Sequence, residues 1–455
     1  MHAEKINFSE IIDIQIEIFY KSNYLGELMN ILFKEIRTIN PAQNLDTILN
    51  LWVKDGLIVH CDKSMPTIDS DTEQIEGKDL IASPGLFDMH VHLREPGEEY
   101  KEDIETGTNS AANGGFTGVV CMPNTNPTID HITVVEYIKN KAKDKLVDVH
   151  ISAAITQKRE GQHLTEMLEL NDAGVVFFTD DGASVKCADT LKRAFDYALT
   201  KDLLIAQHCE DHSLTEGFSV NESSYSTKLG LKGYPAIAET NTLFRDIEIA
   251  YYVGNCRYHA MHISTKGAVE LIRAAKAKGN RVTAEVTPHH FSMNDEIIGD
   301  YNPDTKMNPP LRDKADVNEI LKGLADGTID CIATDHAPHA LHEKDVEFER
   351  APNGIIGLET SLGLAMTNLV HTKILSVNQL IEKMSVNPRQ ICKLPTIQIE
   401  KGKLANLTIF APNEEWVVNK AVLKSKSKNT PFDKYKLKGK PKFTINNNQV
   451  TKCVL

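Results

Sequence analysis

From about Met29 to Ala82, and again from Leu404, apolar and polar positions come in short runs broken by turn residues. They read NILFKEIRTIN, NLWVKDGLIVH and EQIEGKDLIA near the start, then LANLTIFAP, EWVVNK and PKFTINNNQVTKCVL near the end. Runs of this kind are β-strand patterns. Two β segments flanking a long middle predict one small β-sandwich assembled from both ends, residues 29–83 and 395–455. The middle, residues 84–394, has another rhythm. Apolar strand-like runs (GLFDMHVH, FTGVVCMP, VDVHISAAI, GVVFFTD, LLIAQHCE, RYHAMHIS, RVTAEVTP, DCIATDH) alternate with helix-like segments such as ITVVEYIKNKAKD, TLKRAFDYALTKD, AIAETNTLFRDIEIAYYVG and TKGAVELIRAAKAKG. Eight such alternations predict an α/β fold, a (β/α)8 TIM barrel. An open doubly wound sheet would favour a Gly-rich phosphate turn after its first strand, and none is present. Residues 1–28 stand apart from both rhythms and are expected to be a flexible extension or the product of an upstream start codon.

In FDMHVHLREPG, apolar Phe87, Met89, Val91 and Leu93 alternate with Asp88, His90, His92 and Arg94. Period-two alternation makes a strand with two unlike faces. The expected arrangement turns the polar set into the barrel mouth and packs the apolar set on the helices. Other ionisable residues fall at the same place in their own repeats. Asp180 and Asp181 follow GVVFFT, His208 ends LLIAQ, His262 ends YHAM, and Asp335 ends CIAT. All lie at carboxyl ends of strands, where barrel enzymes build their sites. A lone buried histidine is more often structural than a ligand, and Asp335 by itself could cap a turn. Five strands delivering ligand-type residues to one end change that balance. Four histidines and two aspartates exceed what one ion needs, and they suit two ions sharing a carboxylate and a water of lowered pKa. The residues thus point to a two-metal hydrolase.

Charge and composition narrow the classes. A net charge of −13 leaves no basic stripe for a nucleic-acid partner. No apolar run reaches the ~18 residues of a membrane span. Eight scattered cysteines without a CxxC pair read as reduced thiols of a cytoplasmic protein.

PGLFDMHVHLREPG, GGFTGVVCMPNTNP, FFTDDG, HCED, MNPPLR and ATDHAPH together resemble the amidohydrolase superfamily. Within it they look like bacterial dihydroorotases that use an aspartate metal bridge. The likeness runs from about Met29 to the C-terminus. It implies two Zn2+ per subunit, with His90, His92 and Asp335 on one and His208 and His262 on the other. Asp181, chosen over Asp180 by its separation from His208, would bridge them. Manganese or cobalt would suit the same ligands. It further implies that Arg94 and Asn124 grip a substrate carboxylate and that His339 closes from a lid spanning His336 to Ile356. His92, Asn308, Asn353 and Gly354 would line the rest of the substrate pocket, and Asp335 would act as general acid and base. His289 and His290 are read as pocket lining or plain structure. Hydantoinase-like and allantoinase-like relatives bridge their metals with a carbamylated lysine, and no lysine lies between Lys158 and Lys186. The implied reaction is reversible hydrolysis of dihydroorotate to N-carbamoyl-L-aspartate in pyrimidine biosynthesis. The rivals are another cyclic amidase and a non-catalytic companion of aspartate transcarbamoylase. A homodimer, or association of an active enzyme with that transcarbamoylase, is compatible with the resemblance.

Overall fold

The computed structural model describes residues 29–455. The expectation for residues 1–28 therefore lies outside the described residues. Eight parallel strands follow one another in chain order around the middle of the molecule: Leu86–Val91, Phe116–Cys121, Asp148–Ala153, Val175–Phe178, Ile205–Gln207, Tyr258–Ala260, Val282–Val286 and Cys331–Ile332. The first two are buried along their whole length, because a parallel sheet wrapped in helices has no solvent face. Helices such as Ile104–Asn113, Ala188–Leu199 and Lys266–Ala277 supply the crossovers. Asp103 caps the first by accepting from the Thr106 N–H, and Thr265 caps the last by accepting from the Ala268 N–H.

The barrel has two apolar layers. Val119, Cys121, Phe178, Ile205, Ala260, Val286 and Ile332 pack with the helices in the main core. Their alternates Val120, Met122, Phe177, Leu204, Ala206, Met261, Cys331 and Ala333 form a second cluster that fills the barrel interior. Phe87 and Met89 belong to this interior cluster, while Val91 and Leu93 join the helix-facing core. The expected clean separation of faces in FDMHVHL therefore fails for Phe87 and Met89. The pairing register with the second strand slips at Leu86/Phe87 and again between Asp88 and Val91, which breaks the period-two rule locally.

The first and eighth strands are joined by side chain and loop rather than by a full ladder. Both carboxylate oxygens of Asp88 lie 3.1 Å from the Thr334 N–H. The His92 N–H donates to the His336 carbonyl at 2.9 Å. Asp88 thus ties the barrel shut instead of facing its mouth.

A second, mostly antiparallel sheet draws strands from both ends of the chain. Strand Ile81–Pro84 pairs with Asn30–Asn40 on one side and with Leu407–Val417 on the other, so it stitches the two ends together. Ile31, Phe33, Leu51, Val53, Leu407, Ile409 and Ile445 form its core. Among the described residues no helix is long and apolar enough to cross a membrane.

Candidate metal centre

Six side chains meet at the carboxyl end of the barrel: His90, His92, Asp181, His208, His262 and Asp335. His90 lies within the first strand, and its Nδ1 lies 2.6 Å from Glu285 Oε1. The carboxylate makes that nitrogen the N–H donor, which leaves the Nε2 lone pair free. This Nε2 is buried without a hydrogen-bond partner, 3.6 Å from Asp181 Oδ1 and 3.5 Å from Asp335 Oδ1. His92 is set the same way, with Nδ1 2.8 Å from Asn124 Oδ1 and Nε2 2.9 Å from Asp335 Oδ1. On the other side, His208 Nε2 lies 2.7 Å from Glu210 Oε2, so its Nδ1 carries the lone pair. That Nδ1 sits 2.9 Å from His262 Nε2, which in turn lies 3.8 Å from Asp181 Oδ1.

These atoms form two ligand sets, His90–His92–Asp181 and Asp181–His208–His262, with Asp181 common to both. Asp180 is engaged elsewhere: it accepts from the Ile155 N–H at 2.9 Å, from the Thr156 N–H at 3.0 Å and from the Thr156 hydroxyl. Its neighbour is the free carboxylate. Imidazole lone pairs facing each other or a carboxylate at these distances call for positive charge between them. The electrostatics agree. Burial disfavours charge on His90, yet Glu285, Asp181 and Asp335 together raise its pKa well above the usual value. Burial pushes Asp335 up, but His90, His92 and His262 outweigh it and hold that carboxyl well below the usual range. Asp181 is likewise held low against its burial, chiefly by His90. Imidazole nitrogen and carboxylate oxygen are zinc's ordinary donors, and the residues fit such ions.

Backbone strain is present here too. Arg94, His262 and Asp335 all adopt left-handed φ values, +62°, +29° and +48°. Non-glycine residues hold such angles at a cost of order 1–3 kcal/mol each, which packing elsewhere must offset.

A cavity of about 210 Å³ opens above the cage, lined by His92, Arg94, Asn124, Asn308, His339, Asn353 and Gly354 together with Asp181, His208, His262 and Asp335. His90 lies deeper, fully buried. Arg94 is buried, and among the described residues its guanidinium donates one protein hydrogen bond, Nε to the Pro338 carbonyl at 3.2 Å. Glu98 stands off at 4.0 Å. Since Asn124 Oδ1 is occupied by His92, its amide N–H groups are left for a ligand. Asn308 Oδ1 and Asn353 Oδ1 are buried acceptors without partners. Burial and the nearby Arg94 cation push His339 down to about 3, so it is neutral, and its Nε2 donates to the Asn353 carbonyl at 2.9 Å. Gly354, at φ +134°, leaves no room for a Cβ, which would meet Ala337 Cβ at 2.8 Å.

The segment His336 to Ile356 is docked over this cavity. Lys344 Nζ reaches the Pro303, Lys306 and Pro352 carbonyls at 2.9, 3.4 and 2.8 Å, and Asn429 Nδ2 reaches the Ala337 and Gly354 carbonyls at 3.0 Å. His289 and His290 are both buried, and His290 is held by Thr287 and the Pro309 carbonyl. Sequence reasoning missed Glu285 and Glu210. The available signals were a single acid inside the apolar strand VTAEV and the position two residues after His208 in HCED.

Comparison with known proteins agrees with this geometry. A family model described as dihydro-orotase-like matches residues 78–268. A dihydroorotase of Syntrophus aciditrophicus is 46% identical over 418 residues, 92% of this chain and 98% of the relative. One of Geotalea daltonii is 49% identical over the same shares. Among solved structures, an L-hydantoinase (dihydropyrimidinase) from Arthrobacter aurescens superposes with a TM-score of 0.82 at 24% identity, covering 93% of this chain and 96% of that one. At that identity the likeness speaks for the fold.

Proposed function

Because the chain belongs to the dihydroorotase family, we propose that it catalyses the reversible hydrolysis of dihydroorotate to N-carbamoyl-L-aspartate, a step of pyrimidine biosynthesis. The observation that carries this reading is a buried Arg94 without a close carboxylate partner, beside two ligand sets that share Asp181. We infer two zinc ions, one on His90, His92 and Asp335 and one on His208 and His262, bridged by Asp181. When bound, such ions would supply Lewis acidity to the site, lowering the pKa of water and polarising an amide carbonyl.

The remaining steps belong to side chains. Arg94 offers a planar fork to the substrate carboxylate, and the Asn124 amide donates to the same group. The open Asn308 and Asn353 acceptors suit the ring N–H groups, and His339 contributes a neutral imidazole from the docked segment. Asp335, held ionised, takes the proton of the attacking water and delivers it to the ring nitrogen as the C–N bond breaks. In the closing direction it takes a proton from the carbamoyl nitrogen and returns it to the oxygen that leaves as water. Such general acid–base transfer contributes about 10²–10⁴-fold. All eight cysteines are free, which suits a reducing cytoplasm.

The test is metal content measured together with hydrolysis of dihydroorotate, dihydrouracil and hydantoin. The reading expects two ions per chain and strong preference for dihydroorotate. Equal turnover of the uncharged rings would refute it in favour of a general cyclic amidase. A metal-replete chain silent on all three would point to a companion protein.

A further inference from the structure

Two glutamates lie behind the cage without touching the cavity's reacting end. Glu285 is fully buried in strand Val282–Val286, on the face opposite Val282, Ala284 and Val286, which pack with the helices. Its Oε1 lies 2.6 Å from His90 Nδ1 and accepts from the His262 N–H at 3.2 Å. Its Oε2 lies 3.2 Å from His259 Nε2, whose Nδ1 is 2.8 Å from Thr283 Oγ1. Glu210, also buried, places Oε2 2.7 Å from His208 Nε2 and accepts there from Asn308 Nδ2 at 2.9 Å. Its other oxygen faces His212 Nδ1 at 3.3 Å and accepts from the Thr215 hydroxyl.

Burying a carboxylate costs several kcal/mol unless its lone pairs are engaged, and an apolar residue would fill the same space more cheaply. Both glutamates have every oxygen engaged. They also share one property that packing does not require: each holds an imidazole whose opposite nitrogen faces the cage. The two imidazoles belong to different ligand sets.

We propose that Glu285 and Glu210 are positioning residues assigned to different cations. Glu285 fixes the donor nitrogen of His90 for the position formed with His92 and Asp335, and Glu210 fixes that of His208 for the position formed with His262. The assignment rests on the two-cation reading of the site. A carboxylate behind a ligating histidine locks its tautomer and ring plane and raises its basicity, and losing it typically costs 10–100-fold in metal affinity. The two positions are not equivalent. The Glu210 oxygen that holds His208 also holds the Asn308 amide, so one carboxylate ties a cation position to the cavity wall. Glu285 has no such link.

Zn2+ affinity is measured on metal-free protein by competition with a chromophoric chelator, for wild type, Glu285→Gln and Glu210→Gln. Glutamine keeps the length and one acceptor and removes the charge. Each variant is expected to bind one ion 10–100-fold more weakly and the other within about threefold of wild type. His90→Asn and His262→Asn mark the positions. Glu285→Gln should add nothing to His90→Asn, yet weaken the ion that His262→Asn retains. At saturating Zn2+, Glu210→Gln should raise KM several-fold, and by more than Glu285→Gln does. If a glutamine variant fails to fold, Glu285→Asp and Glu210→Asp, which keep the charge but withdraw it, should show the same division. Wild-type affinity for both ions in either variant, or weakening of the same ion by both, overturns the assignment. A wild-type chain that binds fewer than two ions overturns the two-cation reading itself, before any substitution is made.

Discussion

Replacing Arg94 with methionine removes the cation expected to meet the substrate carboxylate while keeping much of the side-chain volume. The magnitude follows from what surrounds the guanidinium. It is buried, its Nε is spent on the Pro338 carbonyl, and Glu98 at 4.0 Å is a weak partner. Burial itself lowers the Arg94 pKa, so the charge is held there at a cost that a bound carboxylate would offset. Truncating one partner of a buried, hydrogen-bonded charge pair costs about 2–5 kcal/mol. At 1.4 kcal/mol per decade, a loss of about 3 kcal/mol is roughly 150-fold in kcat/KM, carried mainly by KM. Both residues must adopt the same left-handed backbone, so strain does not separate wild type from variant. Arg94→Lys keeps the charge without the fork and should fall between them. Initial rates of dihydroorotate hydrolysis across substrate concentration measure the effect, with dihydrouracil as the uncharged control. A KM within threefold of wild type for Arg94→Met, or an equal loss on dihydrouracil, would refute the carboxylate reading.

Asp335→Asn should lower kcat by at least 10²-fold with the fold intact, and near-normal turnover would remove Asp335 from proton transfer. Asparagine is preferred to alanine because φ at this residue is +48°, which asparagine tolerates better. Removing metal with a chelator should silence the enzyme and added Zn2+ should restore it; full rates in verified metal-free protein would end the two-metal account. Burial lowers Lys344 to about 8, and the carbonyls around it accept its hydrogen bonds but supply no negative charge. Between that value and the ordinary 10.5 the unfolded chain binds more protons, so stability rises with pH across this window, by roughly 3 kcal/mol in all. Denaturant melts of wild type and Lys344→Met from pH 7.5 to 10 should diverge in the wild type's favour, and a constant difference would contradict the buried cation.

Much of the architecture was legible because it depends on local period. Each barrel strand is a short apolar run between amphipathic helices, and the order of those runs leaves few topologies open. The ligand-type residues could be placed at one end because a parallel barrel puts all carboxyl ends on one face. The exceptions are instructive. Phe87 and Met89 turned inward because the strand pairing slips beside them, and a slip depends on the neighbouring strand. Asp88, which shares the polar alternation with His90, was claimed by the Thr334 N–H just beyond the neighbouring eighth strand, 246 residues away in sequence.

The residue pattern alone thus determined the barrel, the two-ended second sheet and the set of imidazoles and carboxylates available to the site. The choice of the free carboxylate between adjacent Asp180 and Asp181 was visible in the tertiary structure, where Thr156 engages the first and leaves the second between the two ligand sets. So was the backing of His90 by Glu285 and of His208 by Glu210. Which nitrogen of a histidine carries its lone pair, and which acid is already satisfied, depends on partners that only the folded chain brings within hydrogen-bonding distance.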